Sequence, residues 1–304
     1  MIRRGIRTRG TCVRAIAAMR ALIVVALCCS GCQAGVGEPA RGQPPSALQI
    51  ALLAQAAEAA SELGLTVPAP DAAVAQLDQL VAQARKEVPA TRSRAAIAAL
   101  NRFLFDNLGL ERELDDTNIP LMLLPQVVAG RRGTCLGLAA LYLVVADRLG
   151  FDVHALLVPG HLFLRQTVGT DRVNIELLRR GEQLPDSWYV DRYQVPTQAP
   201  AYLRELSSVE LVAVYRYNLA NELHRRQRTE RAAELYRQAI EAFPDFAEAR
   251  GNLGLLYQLA GNRTAAAAAY QAAARANPAL PGLAHNLAAL GLADDAGARD
   301  VSHP

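Results

Sequence analysis

Thr134-Cys135-Leu136-Gly137-Leu138-Ala139-Ala140-Leu141-Tyr142-Leu143-Val144-Val145-Ala146 is the stretch on which the fold turns. It is apolar nearly all round until Asp147, and a helix without a polar stripe belongs in the middle of a domain. Thr134 can cap such a helix, which is predicted to begin at Cys135 and to end after Leu149, at Gly150. The period changes immediately afterwards. Phe151–Val158, His161–Gln166 and Arg172–Leu177 are short runs of strand formers, joined by Pro159-Gly160 and by Thr167–Thr170. A buried helix followed by an antiparallel meander is an α+β arrangement.

Upstream lie two alanine-rich amphipathic stretches, Ser46–Leu63 and Asp71–Val88, parted by Val67-Pro68-Ala69-Pro70. A third, Ser93–Leu108, carries Ile97, Leu100, Leu104 and Leu108 on one face and stops at Gly109; Asp115–Pro120 reads as a loop. Downstream, from about Ser208, the chain is helical again and repeats. Leu219, Ala220, Ala232, Tyr236, Ala239 and Pro244 recur 34 residues later as Leu253, Gly254, Ala266, Tyr270, Ala273 and Pro278. That period resembles the tetratricopeptide repeat, with units at 213–246 and 247–280 and a partial unit at 281–290. Residues 293–304 read as a disordered tail.

The formal charge of +3 hides an asymmetry. Of 32 basic residues, six arginines lie within residues 1–31, which hold no acid; the 26 that remain face 29 acidic residues. The mature part is therefore mildly acidic, has Lys86 as its single lysine, and shows no basic stripe with interleaved aromatics, which excludes a nucleic-acid surface. The arginines precede a short apolar run, Ala21–Cys29, too short to span a bilayer. Ser30-Gly31-Cys32 then resembles the lipobox of bacterial lipoproteins. By that resemblance residues 1–31 are a signal peptide and Cys32 is acylated. Gln33 after it implies the outer membrane, periplasmic side, and residues 32–45 form a tether. Met19 is an alternative start.

Cysteine arithmetic follows. Cys12, Cys28 and Cys29 leave with the signal, Cys32 carries lipid, and Cys135 has no disulfide partner left in an oxidising compartment. A thiol kept there is either deeply buried or in use. No cluster has zinc spacing and no cofactor is called for. At a helix start, unpaired N–H groups favour thiolate over thiol, and Gly133 and Gly137 leave room for a substrate to reach the sulfur. If Thr167–Thr170 is a four-residue loop, pairing Gln166 with Asp171 places His161 opposite Glu176 on one face, with Cβ atoms about 5 Å apart. A slip of one residue would separate them. The carboxylate could orient the imidazole, and the imidazole could take the thiol proton. His154 reads as an exposed or core histidine. Trp188, Tyr189 and Tyr193 read as packing at the junction with the repeats, with the substrate groove as the alternative place.

These runs, with Leu100-Asn101-Arg102-Phe103-Leu104-Phe105, Arg132–Leu138, Pro159–Arg165 and Asn174-Ile175-Glu176, resemble a transglutaminase-like domain of the papain-like cysteine superfamily. In one bacterial branch that domain is followed by tetratricopeptide repeats. The resemblance implies that residues 46–200 form this domain, with Cys135 as nucleophile, His161 as general base and Glu176 as orienting acid. Asp186 and Asp191 compete for the third role. The Cys135 N–H is one oxyanion donor, and Asn118 or Gln126 could supply another.

Two functions stay open. One is a thiol enzyme that hydrolyses or transfers the acyl group of a peptide or protein amide. The other is a silent scaffold whose repeats recruit a protein partner in the envelope. Two repeats make a short groove, which could also dock onto the chain's own N-terminal domain.

Overall fold

The computed structural model describes residues 44–292. The expected signal peptide, the expected acylation site Cys32, the alternative start at Met19, most of the expected tether and the expected tail lie outside them. Two N-terminal helices, α1 (Ala47–Leu63) and α2 (Pro70–Glu87), precede α3 (Arg94–Asn101), which widens into a π-helical turn over Arg102–Asn107. That turn buries Phe103, Leu104 and Phe105 in succession. The helix predicted to run to Leu108 thus changes type partway.

The loop expected at Asp115–Pro120 runs into further structure before the cysteine helix. Residues 111–133 hold a 3-10 turn (Ile119–Met122), helix α4 (Leu124–Gly130), and a two-residue parallel pair, β1 (Glu111–Arg112) with β2 (Arg132–Gly133). Helix α5 (Cys135–Leu149) follows, with Thr134 Oγ1 accepting from the Gly137 N–H at 3.3 Å and Gly150 in the left-handed region at φ +82°. All of its residues but Asp147 and Leu149 are buried.

The meander is β3 (Val153–Val158), β4 (His161–Val168) and β5 (Asp171–Ile175), in that spatial order. Its register departs from the expected one. Val168 pairs with Asp171, so the second turn is only Gly169-Thr170, with Gly169 at φ +62°. The glycine makes the tight two-residue turn possible. The register is shifted by two residues, and because side chains alternate with period two, no residue changes face. Ala155, Leu162, Leu164, Val173 and Ile175 join the large core around α5. Leu156, Val158 and Phe163 face the other way, beneath Tyr189 of helix α6 (Asp186–Tyr193).

Four helices follow as two hairpins: α7 (Ser208–Arg225) with α8 (Thr229–Ala242), and α9 (Ala247–Leu259) with α10 (Arg263–Ala276); α11 (Leu283–Ala289) closes the end. A Cβ on Gly254 would meet the Tyr270 ring at 2.7 Å, which is why the repeat needs small residues there. Helix α1 packs on α7, and Glu62 pairs with both Arg228 and Arg231 at 2.7 Å.

Candidate active site

Cys135 opens α5 where the helix meets the first residues of β4. It is 9% exposed and is the free cysteine among the described residues. The two glycines beside it serve packing more than access. A Cβ on Gly137 would lie 2.0 Å from the Leu121 carbonyl oxygen and 2.9 Å from Val127, and one on Gly133 would crowd Val127 at 3.1 Å. These glycines let the loop before α4 press against the first turn of α5.

Glu176 follows β5 and is 1% exposed. Its Oε2 lies 2.9 Å from His161 Nε2, while Oε1 accepts from the Leu178 N–H at 3.0 Å. The register shift makes this a diagonal contact, which the length of the glutamate spans. The carboxylate caps the 3-10 turn Leu177–Arg179. With Nε2 committed to Glu176, Nδ1 is the ring nitrogen left for the cavity that His161 and Cys135 both line.

A buried polar chain ties the acid's loop to the cysteine's helix. Tyr142 of α5 donates to Asn101 Oδ1 at 2.8 Å, and Asn101 Nδ2 donates to the Gly181 carbonyl at 2.7 Å. Gly181 has φ +79°, and a Cβ there would sit 2.4 Å from the Asn101 amide. The competing acids are placed elsewhere. Asp186 accepts from Arg165 at 2.5 Å and from Asn174 at 2.7 Å, and Asp191 is exposed.

The aromatic residues take a different place from the expected one. Tyr193 stacks on His161 with ring centroids 4.8 Å apart and planes 8° from parallel; Tyr189 stacks on Phe163 at 3.7 Å. They cover the outer face of the sheet and one face of the imidazole, because α6 folds back over β3 and β4. His154 is paired with Asp152 at 2.9 Å, away from the cysteine.

The electrostatics also correct an expectation. Burial, and then the Asp116 carboxylate, push the Cys135 thiol up to about 12. The helix N-terminus does not offset these two effects, so the thiol is protonated in this state. The Leu162 N–H faces the sulfur and acts in the opposite direction. Asp116 itself is raised by burial, against the pull of His161 and of the Cys135 N–H and thiol.

Asp116 was not legible as a site residue, since one of two adjacent acids in a loop carries no periodic signal. The proposed oxyanion side chains are not brought to the pocket: Gln126 Nε2 reaches the Thr66 carbonyl at 3.4 Å, and Asn118 does not line it.

The pocket measures about 140 Å³. Asp116, Cys135 and His161 line it together with Val214 and Tyr217 of α7, Phe246 at the N-cap of α9 and Glu248 in its first turn. Beside Cys135, Tyr215 of α7 donates to the Leu136 carbonyl at 2.8 Å. The repeats thus complete the wall of the site.

Comparison with known proteins agrees with this architecture. Residues 71–213 match the transglutaminase-like superfamily model, and residues 213–246 and 247–280 each match a tetratricopeptide repeat. UPF0162 proteins of two Xylella fastidiosa strains, 9a5c and Temecula1, are each 30% identical over 188 residues, 56% of this chain. The match spans 64% of the length of these curated relatives. Among solved structures, the crystal structure of MamA covers 29% of this chain and 58% of its own, at 22% identity and a TM-score of 0.25. The crystal structure of menin covers 79% and 69%, at 15% identity and a TM-score of 0.42. On the family models, the chain carries a domain of the transglutaminase-like superfamily followed directly by two tetratricopeptide repeats.

Proposed function

We propose that this protein is a thiol-dependent amide hydrolase or acyltransferase acting on a peptide or protein. The observation that carries the reading is the buried His161–Glu176 pair at 2.9 Å, whose imidazole lines the same pocket as Cys135. When an amide enters, the Cys135 thiol proton passes to His161 Nδ1 and the sulfur attacks the carbonyl carbon. The C–S bond forms, the C–N bond breaks, and the imidazolium returns the proton to the departing amine. Water or an amine then attacks the thioester, giving acid or new amide and restoring the thiol. The Cys135 N–H, which faces Asp116 in the resting site, turns to the transient oxyanion when substrate displaces that carboxylate. Glu176 holds the imidazole in the tautomer with hydrogen on Nε2.

The test is covalent labelling of the full chain by a haloacetamide peptide, with the modified residue mapped by mass spectrometry. Labelling is expected at Cys135, lost in Cys135→Ala, and slowed about 10²-fold or more in His161→Ala. Equal labelling of wild type and Cys135→Ala sinks the reading.

A second reading is a silent scaffold, and the neutral, nearly buried thiol favours it. It requires a partner protein whose binding survives Cys135→Ser and is lost on deleting 213–278. Export belongs to the proposal as well: Cys32 is the acylated residue and the chain is held at the outer membrane, facing the periplasm. Metabolic labelling with a palmitate analogue is expected to mark wild type and to spare Cys32→Ser.

A further inference from the structure

Helix α6 lies along β4 as a ladder of three rungs. His161, Phe163 and Arg165 alternate onto one face of the strand, and Asp186, Tyr189 and Tyr193 share one face of the helix at i, i+3 and i+7. Four helical residues rise about 6 Å and two strand residues about 6.8 Å, so the two series run nearly in step. Arg165 donates to Asp186 at 2.5 Å, Tyr189 stacks on Phe163 at 3.7 Å, and Tyr193 stacks on His161 at 4.8 Å. The ionic rung is tied down from the sheet: Arg165 also donates to Asn174 at 2.8 Å, and Asn174 donates to Asp186 at 2.7 Å. That cluster sets where α6 begins, and so where its last residue, Tyr193, falls over the first residue of the strand.

The bond from His161 Nε2 to Glu176 does not by itself orient the imidazole. Of the two ring nitrogens, Nε2 lies nearer the Cβ–Cγ axis, so a partner there lets the ring twist about that axis and swing Nδ1 away. A flat neighbour opposes the twist, and the planes of Tyr193 and His161 are 8° from parallel. We infer that Tyr193 is a positioning residue for the thiol reaction: its ring sets the plane of the imidazole so that Nδ1 faces Cys135, and the Arg165–Asp186 rung holds it there. The inference rests on the thiol reading and adds to it a helix that touches no reacting atom. The Tyr193 hydroxyl has no part in it. Burial, and then the charge of Glu176, push that hydroxyl up to about 12, so it stays neutral. The same π face also receives the imidazolium once the thiol proton has moved.

Two measurements separate position from packing. In the full chain carrying Cys135→Ala and isotope-labelled histidine, NMR relaxation reports how firmly the His161 ring is held; His161→Gln identifies its signal. With Tyr193 present or replaced by Tyr193→Phe, the ring is expected to be as rigid as ordered backbone, with S² of about 0.85. Tyr193→Leu keeps bulk without a flat face and is expected to bring S² below about 0.6. With Cys135 restored, labelling by the haloacetamide peptide is expected to slow about tenfold or more in Tyr193→Leu and to regain the wild-type rate in Tyr193→Phe. Asp186→Ala is expected to slow it too and to add nothing to Tyr193→Leu, because both act on one ring. A rigid His161 in Tyr193→Leu overturns the inference, as does slow labelling that Tyr193→Phe does not restore. So does a Tyr193→Leu chain that loses only melting temperature, and slowing that multiplies in the double variant strikes Asp186 from it. Wild type left unlabelled at Cys135 sinks the thiol reading while the ring measurement stands. Labelling at Cys135 that ignores Tyr193→Leu keeps the thiol reading and removes this one.

Discussion

Asp116 faces Cys135 from the loop ahead of the 3-10 turn, and its charge opposes that of a thiolate. Removing the charge by Asp116→Asn is therefore expected to lower the Cys135 pKa from about 12 and to speed alkylation at pH 8. Wild type sets the baseline: in the folded chain the rate with iodoacetamide should rise with pH well past 9, and at pH 8 the urea-unfolded chain should react faster. A folded thiol that titrates near 9 would contradict the assignment. Glu176 acts on His161 rather than on substrate. Glu176→Gln preserves shape but loses the charge that stabilises an imidazolium, so turnover of a cleavable amide is expected to fall about 10²-fold or more, with KM little changed. The closeness of Cys135, His161 and Glu176 was legible because each opens or ends an element with a strong local signature. Asp116 and Glu248 were not: one is in a loop, and the other reads as an ordinary first-turn acid of a repeat helix.

At the scale of elements, the meander shows how much an approximate register can carry. The four-residue loop placed His161 opposite Glu176; the two-residue turn moves the strands by two, and the pair survives because the parity of the faces is unchanged. Helix α6 was missed, since Asp186–Tyr193 is short and polar in sequence and gains its buried face only against the sheet. Gly137 was read as an opening for substrate, yet it is a point of contact between α5 and the chain before α4. Gly137→Ala is thus expected to cost about 3 kcal/mol in urea denaturation, the upper part of the usual overpacking range. Asn101→Ala leaves the Tyr142 hydroxyl and the Gly181 carbonyl without their partner. A cost of about 1–3 kcal/mol is expected, together with slower labelling of Cys135, because the loop that carries Glu176 loses its tie to α5.

In the whole molecule, one apolar core runs from α1 through α5 and the sheet into α7, α8 and α9. The family match begins at residue 71, but α1 lies before it and packs on α7. Calorimetry is therefore expected to give a single cooperative transition for the folded part, and two resolved transitions would count against this continuity. The repeats were legible as repeats because six positions recur at a fixed distance. Their docking was not, since it depends on Tyr215, Tyr217 and Glu248, which do not belong to the repeating set. The far end of the array differs. Tyr270, Leu283, Leu287 and Leu290 form a separate small cluster under α11, and no residue beyond Glu248 lines the pocket. The array can therefore lengthen in evolution: further 34-residue units could enter ahead of α11, extending a surface for recognition while the Cys135 pocket keeps its walls.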